Sequence, residues 1–225
     1  MKRIAFVSLL IFFASQLYAQ HFMAGLSVAP IVTDVQGTDT RDFDNDFVKL
    51  GYSFGLFVNR QMDEKNIIQL EINLVQKGAE QLPDSNNNGY FKLVLNYVEV
   101  PILLRHHMHF GVNNKFFYKF EWELGVSGGY LYSYNYIGGS GASLPFPQGR
   151  VNTLDISALA GINYLISPSF YFGVRYSNSL IPVLKHNAIP PQSLNSYSLD
   201  FNNGNNLVWA FSLKYIIAGK ADSKQ

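Results

Sequence analysis

The run Phe116–Tyr136, FFYKFEWELGVSGGYLYSYNY, repeats with a period of two. From Phe116, every second residue is Phe, Tyr, Phe, Trp, Leu, Val, Gly and then four Tyr. The residues between them include Lys119, Glu121, Glu123, Gly125, Ser127 and Gly129. Side chains in a strand point alternately to its two faces. A strand of this sequence is therefore aromatic on one face and small or charged on the other. Fully extended, it spans about 70 Å at about 3.3 Å per residue, against about 20 Å for an ordinary strand.

Seven further segments carry the same pattern. His21–Ile31 sets Leu26 and Val28 against Gly25 and Ser27. Phe47–Asn59 sets Leu50, Tyr52, Phe54 and Leu56 against Lys49, Gly51, Ser53 and Gly55. Ile67–Lys77 sets Ile68, Leu70, Ile72 and Leu74 against Gln69, Glu71 and Asn73. Phe91–Arg105 sets Val98, Val100, Ile102 and Leu104 against Glu99 and Arg105, but Leu93 and Leu95 fall on the face of Glu99. Thr153–Leu165, Phe170–Leu180 and Leu207–Ile217 complete the set. Eight strands leave no room for a second domain, so the expectation is an all-β chain.

The connections alternate in length. Val32–Asp46, Gly78–Tyr90, Asn135–Asn152 and Ile181–Asn206 are long and polar; Arg60–Asn66, His106–Lys115 and Ile166–Ser169 are shorter. Long loops at one end and short turns at the other mark an antiparallel up-and-down transmembrane β-barrel. Volume decides which face is inside. An eight-stranded barrel is just wide enough to be filled by side chains, so the bulky face must point out, into lipid. Tyr130, Tyr132, Tyr134 and Tyr136 are then expected in an aromatic girdle, with Phe170, Trp209 and Tyr215 in girdles as well.

The inward face then carries Lys49, Glu71, Glu99, Arg105, Lys119, Glu121, Glu123, Asp155, Arg175 and Lys214. Unpaired charge is costly in a closed lumen, so these residues are expected to form a structural salt-bridge plug. A narrow ion path or a proton relay is the alternative.

The N-terminal MKRIAFVSLLIFFASQLYAQ has Lys2 and Arg3 ahead of the apolar run Ile4–Phe13 and Ala19 at a cleavage position. It reads as a signal peptide over 1–19, with the barrel domain over 20–225. The chain has no Cys, which excludes thiolate metal sites and a cysteine nucleophile. A formal net charge of +1 gives no sign of a nucleic-acid partner.

Motifs that suggest chemistry have plainer readings. His106, His107 and His109 fit an exposed turn better than a metal site. Asp84–Gly89 opens like a calcium loop, but Leu95 stands where the bidentate Glu belongs. Asp42, Asp44 and Asp46 suit cations that bridge lipopolysaccharide, but a solvated loop is the stronger reading. His186 has no identifiable catalytic partner. No catalytic residue, cofactor or metal is expected.

The stretches FMAGLSVAP, KLGYSFGLFV, LEINLVQKGAE, NYVEVPILLR, ELGVSGGYLY and LAGINYLISPSFYFGVRYSNSL resemble the porin-like, PorT-like outer-membrane β-barrel proteins of Gram-negative bacteria. The most specific element is Tyr97, Glu99, Pro101, Leu103 and Leu104, with Arg105 where the family usually has Lys. The resemblance implies an eight-stranded barrel in the outer membrane and no single activity. The expected function is structural or surface-interacting, through long extracellular loops. The alternatives are a small-solute channel and a lipid-modifying enzyme. The expected partners are outer-membrane lipid, lipopolysaccharide and other envelope proteins.

Overall fold

The computed structural model describes residues 22–36, 48–81, 91–108, 119–138, 142–144, 151–185 and 204–218. Nine strands follow in chain order: β1 (Phe22–Gln36), β2 (Lys49–Gln61), β3 (Asn66–Gln81), β4 (Phe91–His107), β5 (Phe120–Gly138), β6 (Ala142–Leu144), β7 (Leu154–Ser167), β8 (Phe170–Ser179) and β9 (Asn205–Ala218). All pairings are antiparallel between chain neighbours, except that β5 pairs with β7 past the short β6 and β9 returns to β1. The eight long strands therefore form a closed barrel, with β6 a short addition on the end of β5.

One line of register measures how the sheet closes. Ala24 pairs with Val58, Val58 with Leu70, Leu70 with Ile102 and Ile102 with Val126. Val126 pairs with Ala158, Ala158 with Asn178, Asn178 with Leu207, and Leu207 with Asp34. The line leaves β1 at Ala24 and returns to it at Asp34, a shear of ten residues (34 − 24). Strands in such a barrel must tilt by about 35–45°.

The bulky face points outward. Phe54, Leu56, Ile72, Ile102, Leu124, Val126, Ile162 and Leu213 are all exposed on the barrel wall. No helix among the described residues is long and apolar enough to cross a membrane; this wall of strands takes that role. Ring pairs collect at its two rims. Near the short turns, Phe120–Tyr164 and Phe170–Tyr215 meet as tilted pairs and His106–Trp122 stacks. Tyr176–Trp209 and Tyr52–Phe54 lie toward the other end. This is the two-girdle arrangement of a membrane barrel.

The turn joining β2 and β3 is fastened by Asp63, whose carboxylate accepts the Lys65 and Asn66 backbone N–H groups and the Asn66 side-chain amide, each at 2.8 Å. These bonds, that of the Asn66 side chain foremost, hold the Asp63 carboxyl below its ordinary range.

The strands run further than the alternation predicted at the end remote from the short turns, and one expectation is corrected there. Asn96 pairs with Ser133 but Tyr97 pairs with Leu131, so Tyr132 is an extra residue in β5. Such a bulge reverses the parity of everything beyond it. Tyr130 and Tyr132 face outward as expected. Tyr136 instead pairs with Leu93 and is only 1% exposed, and Tyr134 pairs with Leu95. Of the four tyrosines Tyr136 alone is buried; Tyr134, past the bulge, is still 39% exposed.

The inward turn of Tyr136 accounts for Leu93 and Leu95, which had no explanation on the face of Glu99. Both are fully buried in a cluster with Val35, Ala79, Tyr97, Leu131, Tyr136, Val151, Val183 and Leu184. This apolar cap fills the lumen at that end. Gly78 lets β3 pack against it: its φ is 138°, and a Cβ there would stand 1.9 Å from the Leu93 carbonyl oxygen.

The long connections are correspondingly shorter. β1 runs to Gln36, β3 to Gln81 and β5 to Gly138, and Leu184 bridges Val151 and Gly204 inside the expected fourth loop. Asp42, Asp44, Asp46, Asp84–Gly89, His109 and His186 lie outside the described residues.

Candidate functional site

The interior between the apolar cap and the short turns is a column of charge. Its lowest level is on β4 and β5. Arg105 there contacts Glu121 through one guanidinium nitrogen and donates to Gln69 at 2.6 Å through the other. The Arg105 guanidinium lies 4.8 Å from the ring centroid of Tyr171 on β8, a cation–π contact. At the edge of this level, His107 Nδ1 lies 3.1 Å from Glu121 Oε1.

Gln69 also contacts Glu71, which leads to the middle level. Arg175 on β8 donates to both Glu71 oxygens at 2.8 Å and to Glu123 at 2.5 Å. Lys214 on β9 donates to Glu123 at 3.1 Å and to Asn163 at 3.0 Å. Asn73 and Asn163 donate to Glu71 and Glu123 at 2.8 and 2.7 Å. Gly161 makes room for this level, since a Cβ there would meet Glu123 at 2.9 Å.

The top level joins three strands. Lys77 on β3 meets Glu99 on β4 at 2.5 Å and Asp155 on β7 at 3.0 Å. Ser157 and Asn206 add hydrogen bonds to Asp155, and Lys77 stands 5.3 Å from the Tyr97 ring centroid. Above it the apolar cap begins.

Glu71, Glu99, Arg105, Glu121, Glu123, Asp155 and Lys214 are buried on the inner face, and Arg175 lies among them. Lys119 is a correction. It is exposed, precedes β5, and lies 5.9 Å from the ring centroid of Tyr164 at the barrel rim. The β5 strand begins only at Phe120, so parity does not direct the Lys119 side chain into the lumen. Lys77 is the buried, paired charge that sequence reasoning missed. Its inward parity follows directly from Glu71 and Asn73 on the same strand, and that signal was available.

Each level pairs opposite charges with surrounding amides, the condition under which buried ions are tolerated. The histidine pair serves structure on two faces. His106 stacks on Trp122 outside the barrel and meets Asn66 at 2.8 Å, while His107 reaches Glu121. Among the described residues, no three His, Cys, Asp or Glu side chains form a metal-binding group.

A closed sheet with an apolar outer wall and an ionic interior defines an integral membrane β-barrel. The family model for the outer membrane protein beta-barrel domain matches residues 15–185, and the chain belongs to that family. It is an outer-membrane protein. Among solved structures it is similar to neisserial surface protein A (NspA), at 10% identity over 87% of this chain and 96% of that one, with a TM-score of 0.43. It is similar to Ail, the attachment invasion locus protein of Yersinia pestis, at 11% identity over 87% and 98% of the two chains, with a TM-score of 0.44. OprG from Pseudomonas aeruginosa is similar at 12% identity over 88% and 95%, with a TM-score of 0.35. Comparison with curated proteins gives no match.

Proposed function

We propose that this outer-membrane barrel is non-conducting and non-enzymatic, and that it acts as a structural or surface-interaction protein through its long extracellular connections. One observation carries the reading: Arg175 on β8 reaches Glu71 on β3, four strands away in either direction around the eight-stranded barrel. A side-chain bridge between opposite walls, with an apolar cap beyond it, leaves no ion-sized bore. Of the ten inward charges expected from sequence, all but Lys49 and Lys119 join Lys77 as the plug in this reading. The long connections then supply the contacts with envelope or external partners, and the short turns face the periplasm.

Planar-bilayer recording tests it. The purified barrel is expected to give no steady unitary currents in either polarity. Reproducible ion-sized openings in the unmodified protein would establish the channel alternative.

A further inference from the structure

Four of the five cations that the strands direct inward, Lys77, Arg105, Arg175 and Lys214, meet carboxylates. Lys49, the fifth, meets none among the described residues. Its side chain is buried at the start of β2, where the ladder to β3 has not yet begun. Among the described residues its ammonium donates to neutral oxygens, Leu50 O at 3.1 Å and Gln76 Oε1 at 3.2 Å. The nearby acid Glu80 is held by Lys92 at 3.0 Å. A buried ammonium without a counter-charge is costly unless an anion approaches it.

The hydrogen bonds beyond Lys49 have a direction. Gln76, its Oε1 taken by Lys49, donates through Nε2 to the Tyr52 hydroxyl at 3.4 Å and to Asn96 Oδ1 at 3.2 Å. Tyr52 is left with its O–H to donate, and Asn96 with its NH2. Both lie on the outer wall, on β2 and β4. The surface behind which Lys49 sits therefore offers donors, a polarity suited to an anion that only accepts.

Directly below Tyr52 and Gln76 on the same two strands, Phe54 and Leu74 open a groove in the apolar wall. It continues past Leu56, Ile72, Leu26 and Leu213, with a volume of about 650 Å³. A lipid-facing groove ending in a donor cluster backed by a cation that contacts no carboxylate among the described residues fits one occupant: an acyl chain carrying an anionic head. With the short turns periplasmic, that head lies in the outer leaflet. We infer that Tyr52, Gln76 and Asn96, backed by Lys49, form a docking site for a phosphate of lipopolysaccharide, one of whose acyl chains lies in the groove. Lys49 acts through Gln76, as a positioning residue and as the source of charge.

Native mass spectrometry of the detergent-solubilised protein tests this without reference to orientation or conductance. The probes are diphosphoryl lipid A, the same lipid stripped of phosphate, and inorganic phosphate. Phosphorylated lipid A is expected to bind about tenfold or more tightly than the stripped lipid, the scale of a charge-assisted hydrogen bond. Lys49→Met and Gln76→Leu should abolish that preference, and Leu74→Trp should weaken both lipids alike. Leu124→Trp, on a remote part of the wall, should leave binding unchanged. Heat-modifiable migration in SDS checks that each variant folds; if Lys49→Met does not, Gln76→Leu and Asn96→Leu carry the test. Equal binding of the two lipids, a preference that survives Gln76→Leu, an equal loss in Leu124→Trp, or inorganic phosphate binding as tightly as the lipid would each overturn the site.

Discussion

Arg175 and Glu71 are 104 residues apart in sequence and grip each other across the barrel through two parallel hydrogen bonds of 2.8 Å. The pair joins walls that no backbone hydrogen bond connects. Removing one partner leaves a buried charge unmatched. Glu71→Ala or Arg175→Ala is expected to cost about 3–5 kcal/mol, whereas replacing both with Met should cost clearly less than the sum. Urea unfolding of the refolded barrels in lipid vesicles measures all three. Fully additive losses would mean that the two side chains do not act as a unit.

Lys77 offers a second test at a different level. It is shared between Glu99 and Asp155, so Lys77→Met strands two carboxylates at once. The expected loss is about 3 kcal/mol or more, at least that of Glu99→Ala, which strands only part of one cation. The same unfolding measurement ranks them. A Lys77→Met barrel as stable as the parent would remove the top level from the plug.

The bulge at Tyr132 separates two tyrosines that look alike in sequence. Tyr136 is buried in the apolar cap, while Tyr132 is 55% exposed on the wall. Tyr136→Ala should cost about 3–5 kcal/mol as a core truncation, and Tyr132→Ala roughly 1 kcal/mol. The reverse order would place the parity switch elsewhere.

The charged column was legible because its strands alternate without interruption through the charged positions; the register shifts at Ala24/Gly25 and Leu165/Ser167 fall outside them, at the strand ends. Glu71, Glu99, Arg105, Glu121, Glu123, Asp155, Arg175 and Lys214 all follow from that parity. The upper half was harder to read for a local reason. One inserted residue in β5 shifts the register of Tyr134 and Tyr136, burying Tyr136 while Tyr134 stays exposed, and no composition signal marks Tyr132 as the insertion. Leu93 shares the face of Glu99 because its partner Tyr136 turns inward past the bulge. Lys119 failed at the opposite end, since parity means nothing before a strand has begun. The pairing of Arg175 with Glu71 was not legible at all, because alternation tells which face a residue occupies and not which residue it meets across the lumen.

Orientation provides the last test. The chain has no Cys, so a single introduced Cys is the only thiol that a maleimide can find. Asn135 is exposed on β5 near the end that carries the long connections, and Glu64 is exposed in the short turn between β2 and β3. An outer-membrane barrel with an even number of strands keeps both termini and its short turns in the periplasm. Asn135→Cys should therefore react with a membrane-impermeant maleimide on intact cells. Glu64→Cys should react only after the outer membrane is permeabilised. Neither site belongs to the charged column or to the Lys49 cluster, so labelling reports topology without disturbing either. Labelling of Glu64→Cys alone on intact cells would invert the barrel. The long connections would then face the periplasm, and their proposed partners would have to be sought there.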